Sequence, residues 1–397
     1  MRVVVAPDKF KGSATAAEVA GAIAAGLRAG RPVLDVVELP VADGGDGTVA
    51  AAVAAGFAPV QVMVEGPTGE PVQATFALLR GTAVIELAEV AGLRRLPFSN
   101  PAGAGRELHG SGDGAWAGRE LAPLSASTYG LGQLVAAALD HGATTIVLGA
   151  GGSASTDGGA GMMQALGLRL TDRRGQSVRR GGAALRDLKS IDLTGLDSRL
   201  AAIRVLVASD VDNPLLGPAG AASVFGPQKG ASRAQVNRLE QALTRWADLT
   251  GSAVSRDVSA IPGAGAAGGT GFAAVAYLGA QLMPGIDLVL ELIGFDAALA
   301  GAGLVITGEG SLDAQTLGGK APVGVARAAA RRGIPVAVVA GQVLLTDAEL
   351  AAAGFTAAYA LTSIEPDPAL SIARAASLLT QIGLQIADSK LVIEDDG

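Results

Sequence analysis

Residues 144–161, TTIVLGAGGSASTDGGAG, run a β-branched strand into a loop that begins with Gly149, Gly151 and Gly152. Glycines let main-chain N–H groups come close to a ligand with no Cβ in the way. A helix over 159–168 would turn its positive end toward bound oxyanions. Ser153, Ser155 and Thr156 add hydroxyl donors, and Asp157 adds a carboxylate that a cation could use. The stretch reads as a phosphate cradle. A tight strand-to-helix turn capped by Ser, Thr or Asp would carry the same residues, so the loop alone does not decide between the two.

Four further groups lie where strands are expected to end, the place where open α/β sheets keep their ligands. APDKFKGS, residues 6–13, offers Asp8, Lys9 and Lys11 to an anion or a cation. PVADGGDGT, residues 40–48, sets Asp43 and Asp46 three apart around a Gly-Gly pair, suited to substrate hydroxyls or to Mg²⁺. ASDVDNPLLG, residues 208–217, gathers Asp210, Asp212 and Asn213, oxygen donors of the type hard cations take. FGPQKGAS follows at 225–232, with Lys229 as a phosphate contact. In VITGEGSLDAQTLGGKAP, residues 305–322, an apolar strand is expected to break at Gly308 and present Glu309, Asp313 and Lys320 on a loop. Turn chemistry would explain any one group. All five together, in a chain with only 17% charged residues, point to chemistry on an anion with a divalent cation.

The elements that must position these residues are legible in the apolar pattern. The 397 residues exceed one ordinary domain, and 49% hydrophobic content supplies a large core. Strands are expected at 3–6, 33–39, 304–307 and 336–340, with helices from Ser13 or Thr15 to Leu27 and at 47–55, 322–331 and 347–352. Continuous rather than alternating hydrophobicity in these strands fits a parallel sheet covered on both faces, hence an α/β fold with a doubly wound sheet. Residues 66–286 change character, with hairpin strands at 72–79 and 83–86, and read as an inserted second domain. Residues 258–286 carry no charge, yet the expected helix at 272–282 is too short to cross a membrane. The Gly-, Ser- and Pro-rich stretch 97–127 reads as an excursion, and the arginines of 171–182 as a solvated β-turn region.

Composition removes several classes of chemistry. The net charge of −7 and a pI near 5.0 argue against nucleic-acid and acidic-membrane partners. Cysteine is absent and only His109 and His141 are present, so thiolate nucleophiles, histidine triads and multi-histidine metal sites drop out. Asp, Glu, Lys and main-chain groups remain, and phosphoryl transfer needs little more. No secretory h-region is read in the opening residues, so a cytoplasmic location is expected.

The ordered motifs APDKFKGS, PVADGGDGT, GPTGE from Gly66, GAGGSASTDGGAGM, ASDVDNPLLG, FGPQKGAS, PGAGAAGGTG and VITGEGSLD…GK resemble those of the type I glycerate kinases, over nearly the whole chain. The resemblance implies ATP-dependent phosphorylation of D-glycerate, usually on the 2-hydroxyl. It also implies a discontinuous flavodoxin-like α/β domain, here 1–65 and 287–397, with a second α/β domain at 66–286. In that frame Gly151, Gly152, Ser153, Ser155, Thr156 and Asp157 cradle the ATP phosphates, while Lys229 and Lys320 neutralise developing charge. Lys11 takes the glycerate carboxylate, with Asp43, Asp46 and Asp313 as further substrate contacts. Asp210 is the first candidate base and Asp8 the second. From residue chemistry, Asp157, Asp212 and Glu309 are the candidate Mg²⁺ ligands, directly or through water. Three departures stand out: Lys9 where serine is frequent, YGLGQL where Thr-Gly-Glu-Leu commonly opens a helix, and a longer excursion at 99–124.

Rival readings remain open at this point: 3-phosphorylation, phosphorylation of a related hydroxy acid, and a non-catalytic sugar-acid or phosphate-binding module. A nucleotide-dependent dehydrogenase fits less well. GAGAAG at Gly263 follows Ile261-Pro262 rather than a strand, and neither it nor GAGGSA at Gly149 has a ribose-binding acid in place. No Walker A motif occurs, because Gly319-Lys320 is followed by Ala321. The aliphatic helices leave monomer and homodimer equally open.

Overall fold

Val3, Val4, Val5 and Ala6 are all completely enclosed, which a strand achieves only when both faces of its sheet are covered. In the computed structural model, which describes residues 1–99 and 118–393, the strands are β1 (Arg2–Pro7), β2 (Asp35–Glu38), β3 (Ala58–Glu65), β4 (Pro71–Leu79), β5 (Thr82–Glu86), β6 (Thr145–Gly149), β7 (Arg169–Thr171), β8 (Ser190–Asp192), β9 (Arg204–Ala208), β10 (Gln281–Met283), β11 (Ala302–Leu312), β12 (Val336–Val343) and β13 (Ala357–Ala360). Most of the 99–124 excursion, including His109, lies outside the described residues.

The chain divides into two compact units. The first holds Met1–Asp43, Ala50–Gly56 and Ile286–Gly397, and the second holds Gly44–Val49 and Phe57–Gly285. In the first, five parallel strands run in the order β13-β12-β11-β1-β2. Read from β2, this is the flavodoxin order. Alternate β1 residues feed two different cores, Val4 and Ala6 one and Val3 and Val5 the other. The helix Ala16–Gly30 starts with a capping box between Thr15 and Glu18. It packs on the helix Ala375–Ala387 so closely that a side chain at Gly26 would strike the backbone of Thr380.

The second unit has a six-stranded sheet, β10-β9-β6-β5-β4-β3, with β5, β6, β9 and β10 parallel and β3, β4 and β5 an antiparallel meander. Residues 57–65, expected in the first domain, go with this unit because β3 pairs along its whole length with β4. The turn 44–49 also joins it, because its N–H groups are held by Glu86 at the end of β5.

Two expected boundaries move. The strand expected to end at Gly308 continues to Leu312, kept in register by β12 through Glu309↔Ala340 and Ser311↔Gln342. Glu309 therefore sits in a strand, not on a loop. The helix expected over 272–282 lies within Ala266–Leu278, whose residues 267–269 are left-handed and break its start, and it ends at Gly279 in a left-handed conformation. Residues 281–283 instead form β10, parallel to β9. Among the described residues no helix is long and apolar enough to cross a membrane.

At Gly308 a Cβ would run into the Val339 carbonyl of β12. Gly308→Ala is expected to destabilise the chain by about 1–3 kcal/mol, read as a lower thermal-unfolding midpoint. An unchanged midpoint would mean that β12 can shift to admit the methyl.

Candidate active site

One carboxylate holds the loop after β6 from within. Asp157 Oδ2 accepts the Thr128 N–H at 2.8 Å, the Thr128 hydroxyl at 2.9 Å and the Gly161 N–H at 3.2 Å, while Oδ1 accepts the Gly159 N–H at 3.2 Å. Burial pushes its pKa up, against the downward pull of these bonds. The helix expected over 159–168 is only Ala160–Ala165, and the N–H groups of Gly159, just before it, and of Gly161, in its first turn, donate to this side chain. The chain's own anion thus stands where a bound oxyanion was expected. At 1% exposure and with both oxygens engaged, Asp157 has no face left for ATP or a metal ion. It anchors the loop instead.

The glycines have packing reasons as well as functional ones. A Cβ on Gly149 would lie 2.7 Å from the Gly44 carbonyl oxygen, and one on Gly151 would lie 2.7 Å from Gly45 Cα. The two glycine-rich turns are therefore pressed together, backbone on backbone. Gly158 has φ +63 and lies under Trp246, whose indole N–H donates to the Gly158 carbonyl at 3.0 Å. What stays open is the rim. Gly151 is half-buried and Gly152, at φ +72, is exposed. Among the described residues their N–H groups have no acceptor. Ser153 borders this rim, and behind it the Ser155 and Thr156 hydroxyls are buried without partners among the described residues.

Lys229 lies beneath the loop. Its ammonium donates to Ser153 Oγ at 2.8 Å and to the Ser155 carbonyl at 2.5 Å, and burial pushes its pKa down to about 7 against the opposing pull of Asp157.

Glu86, which the sequence motifs do not single out, closes the same assembly. Its Oε1 accepts the N–H groups of Gly47 at 3.1 Å and Val49 at 2.6 Å. Burial raises its pKa to about 7, with Asp46 and Glu89 adding to the rise and Arg94 opposing it. Arg94 pairs with Asp46 and Glu89, so Asp46 belongs to an ionic network. Asp210 is exposed and accepts the Gly285 N–H at 2.8 Å, at the start of the helix Gly285–Leu292. Asp212 is exposed nearby on the same loop, where Asn213 is tied to the Ala219 carbonyl.

In the first unit, the acids gather at the carboxyl ends of β1 and β11. The chain leaves β1 for β2 on one side and returns at β11 on the other, so this edge is the topological switch point of the sheet. Register Pro7↔Gly308 and the Asp8 N–H donated to the Gly308 carbonyl at 2.8 Å set Asp8 beside Glu309. Burial pushes Asp8 up to about 6, opposed by Lys9 and helped by Asp43. Burial likewise pushes Glu309 up to about 7; Thr316 and Lys320 oppose this, and Asp8 and Asp313 add to it. The Thr316 hydroxyl donates to Glu309 Oε1 at 2.5 Å. Lys320 precedes the helix Ala321–Ala330 and reaches Gln315 at 3.3 Å, while Lys11 is exposed. Among the described residues no three acidic or histidine side chains form a ready metal site.

The sequence profile of the glycerate kinase family matches residues 3–390. The chain belongs to the glycerate kinase family. It is 45% identical to a glycerate kinase of Bacillus subtilis, over 86% of this chain and 85% of that protein. It is 43% identical to the glycerate 2-kinase of Escherichia coli K12, over 87% and 86%. A crystal structure from Salmonella typhimurium LT2, assigned to a glycerate kinase 2, superposes with a TM-score of 0.82 at 42% identity, covering 98% of this chain and 97% of that one. Within this glycerate kinase family chain, the residues the motifs missed are Glu86, Arg94, Thr128 and Thr316. Only Glu86 left a signal, an acid ending an apolar strand.

Folding raises the Glu86 pKa from 4.5 to about 7, so near pH 6 the folded chain keeps a proton there that the unfolded chain has released. The stabilisation from this group is complete below its unfolded pKa and lost as pH rises through about 7. Glu86→Gln, which cannot titrate, is expected to flatten the fall in unfolding midpoint between pH 4.5 and about 7. An unaltered slope would exclude Glu86 as its source.

Proposed function

We propose that the chain transfers the γ-phosphoryl group of Mg·ATP to the 2-hydroxyl of D-glycerate. The observation that carries this is the loop rim at Gly151 and Gly152. It offers two main-chain N–H donors and the Ser153 hydroxyl at the carboxyl end of β6, a place suited to phosphate oxygens. Phosphoryl transfer asks the protein mainly for positioning and charge neutralisation, and the residues of each unit fit part of that task.

In the first unit Glu309 and Asp313 would hold Mg²⁺. The fit lies in their chemistry, since burial and mutual repulsion raise Glu309 and a hard cation taking carboxylate oxygens would offset both. The cation would supply charge stabilisation to the phosphates. Asp8 is the better candidate for the proton acceptor. It stands at the carboxyl end of β1 beside Glu309, and with Glu309 given to the cation its carboxylate is the one left to accept the proton. Asp210 acts in this reading as a cap for the helix Gly285–Leu292. Lys11 and Lys320 would take the glycerate carboxylate and the developing phosphate charge, with Asp43 as a further substrate contact. A cytoplasmic location accords with ATP as donor and a chain without cysteine.

The direct test follows ADP release from ATP, Mg²⁺ and D-glycerate, with the product fed to enolase with and without phosphoglycerate mutase. Enolase turnover without mutase is expected; turnover that requires mutase would mean 3-phosphorylation, and no ADP would remove the activity. In the same assay Asp8→Asn is expected to lower kcat by about 10²-fold or more, and Asp210→Asn by less than about tenfold. The opposite order would return the base to Asp210.

A further inference from the structure

A lysine sealed inside a protein is costly unless it is paired and its donors are satisfied. Lys229 is 2% exposed, and two of its three donors go to atoms of the glycine loop, Ser153 Oγ and the Ser155 carbonyl. The compensating charge is Asp157, which grips the far end of the same loop through the Gly159 and Gly161 N–H groups. Residues 153–161 are thus held at one end by the buried Lys229 side chain and at the other by the buried Asp157 carboxyl. The lysine is itself fixed, since it ends the 3₁₀ turn Pro227–Lys229 and is followed by Gly230 at φ +89 against Leu121.

We propose that Lys229 is a positioning residue for nucleotide binding: it sets the shape of residues 153–155 so that Ser153 and the adjacent glycine N–H groups meet the phosphates, and does not touch the phosphates itself. This rests on the assignment of the glycine loop to ATP. A lysine placed on the transferring phosphoryl group would stabilise the transition state and show in kcat; a strut under the loop shows in nucleotide affinity.

Steady-state kinetics on the full chain separate the two. Lys229→Met is expected to raise KM for Mg·ATP about tenfold, with kcat within about threefold and KM for glycerate unmoved. Ser153→Ala, which removes one acceptor of the ammonium without burying an unpaired charge, is expected to raise KM for Mg·ATP in the same direction. Combined with Lys229→Met it should raise KM by less than the product of the two single effects, because the Lys229–Ser153 contact is lost in both. A kcat loss of about 100-fold in Lys229→Met, or fully multiplicative effects in the double variant, would overturn the proposal. If Lys229→Met does not fold, Ser153→Ala alone decides, and an unchanged KM for Mg·ATP overturns it. Gly152→Val, a branched side chain on the exposed rim, tests the underlying assignment. A raised KM for Mg·ATP there but not in the other two variants overturns only the role of Lys229; no change there overturns the loop as the nucleotide site.

Discussion

The second unit is organised around the buried carboxylate of Asp157. A charge enclosed to this degree is tolerated only when every lone pair is used, and here the donors come from two directions: Thr128 at the head of the helix Tyr129–Asp140, and Gly159 and Gly161 at the head of Ala160–Ala165. One side chain therefore fixes two helix starts and the exit of the glycine loop. Lys229 balances the charge and fixes the loop's entry. Gly151 and Gly152 are left as the part of the loop whose N–H groups have no acceptor among the described residues.

Backbone contact explains much of the glycine content that otherwise suggests only ligand approach. Gly149 and Gly151 lie against Gly44 and Gly45, and Glu86 ties the N–H groups of Gly47 and Val49 to the end of β5. The turn that contains Asp46 is thus part of the same rigid assembly as the loop after β6. In the first unit, position is set by topology rather than by buried charge. The reversal of direction between β2 and β11 brings Asp8 and Glu309 to one edge of the sheet, and Thr316 keeps Glu309 in place. Raised pKa values follow there because burial and like charges act together.

Continuous apolar runs and capping residues carried most of the first sheet. The helix Asp347–Ala352 falls where the pattern puts it, behind a Thr346–Glu349 capping box. The end of β11 was not legible because Gly308, Glu309, Gly310 and Ser311 have turn-like propensities; pairing with β12 overrides them. Residues 281–282 read as the end of a helix because a short apolar run does not distinguish helix from strand, and only the pairing of β10 with β9 decides. The role of Glu86 is not legible locally because its partners lie 37 and 39 residues away in sequence. A lysine and an aspartate in glycine-rich loops read as exposed ligand contacts. Their burial is a tertiary property that no local pattern carries, and it turned Asp157 from a metal ligand into an anchor.

The central claim is that phosphates bind at the Gly151 and Gly152 N–H groups of the loop after β6. Residue-resolved amide hydrogen exchange, with and without a non-hydrolysable Mg·ATP analogue, tests it most directly. Binding is expected to slow exchange at Gly151, Gly152 and Ser153, while Gly159 and Gly161, already bonded to Asp157, change little. Saturation with the analogue that leaves the 151–153 amides exchanging at their free rate would contradict the account.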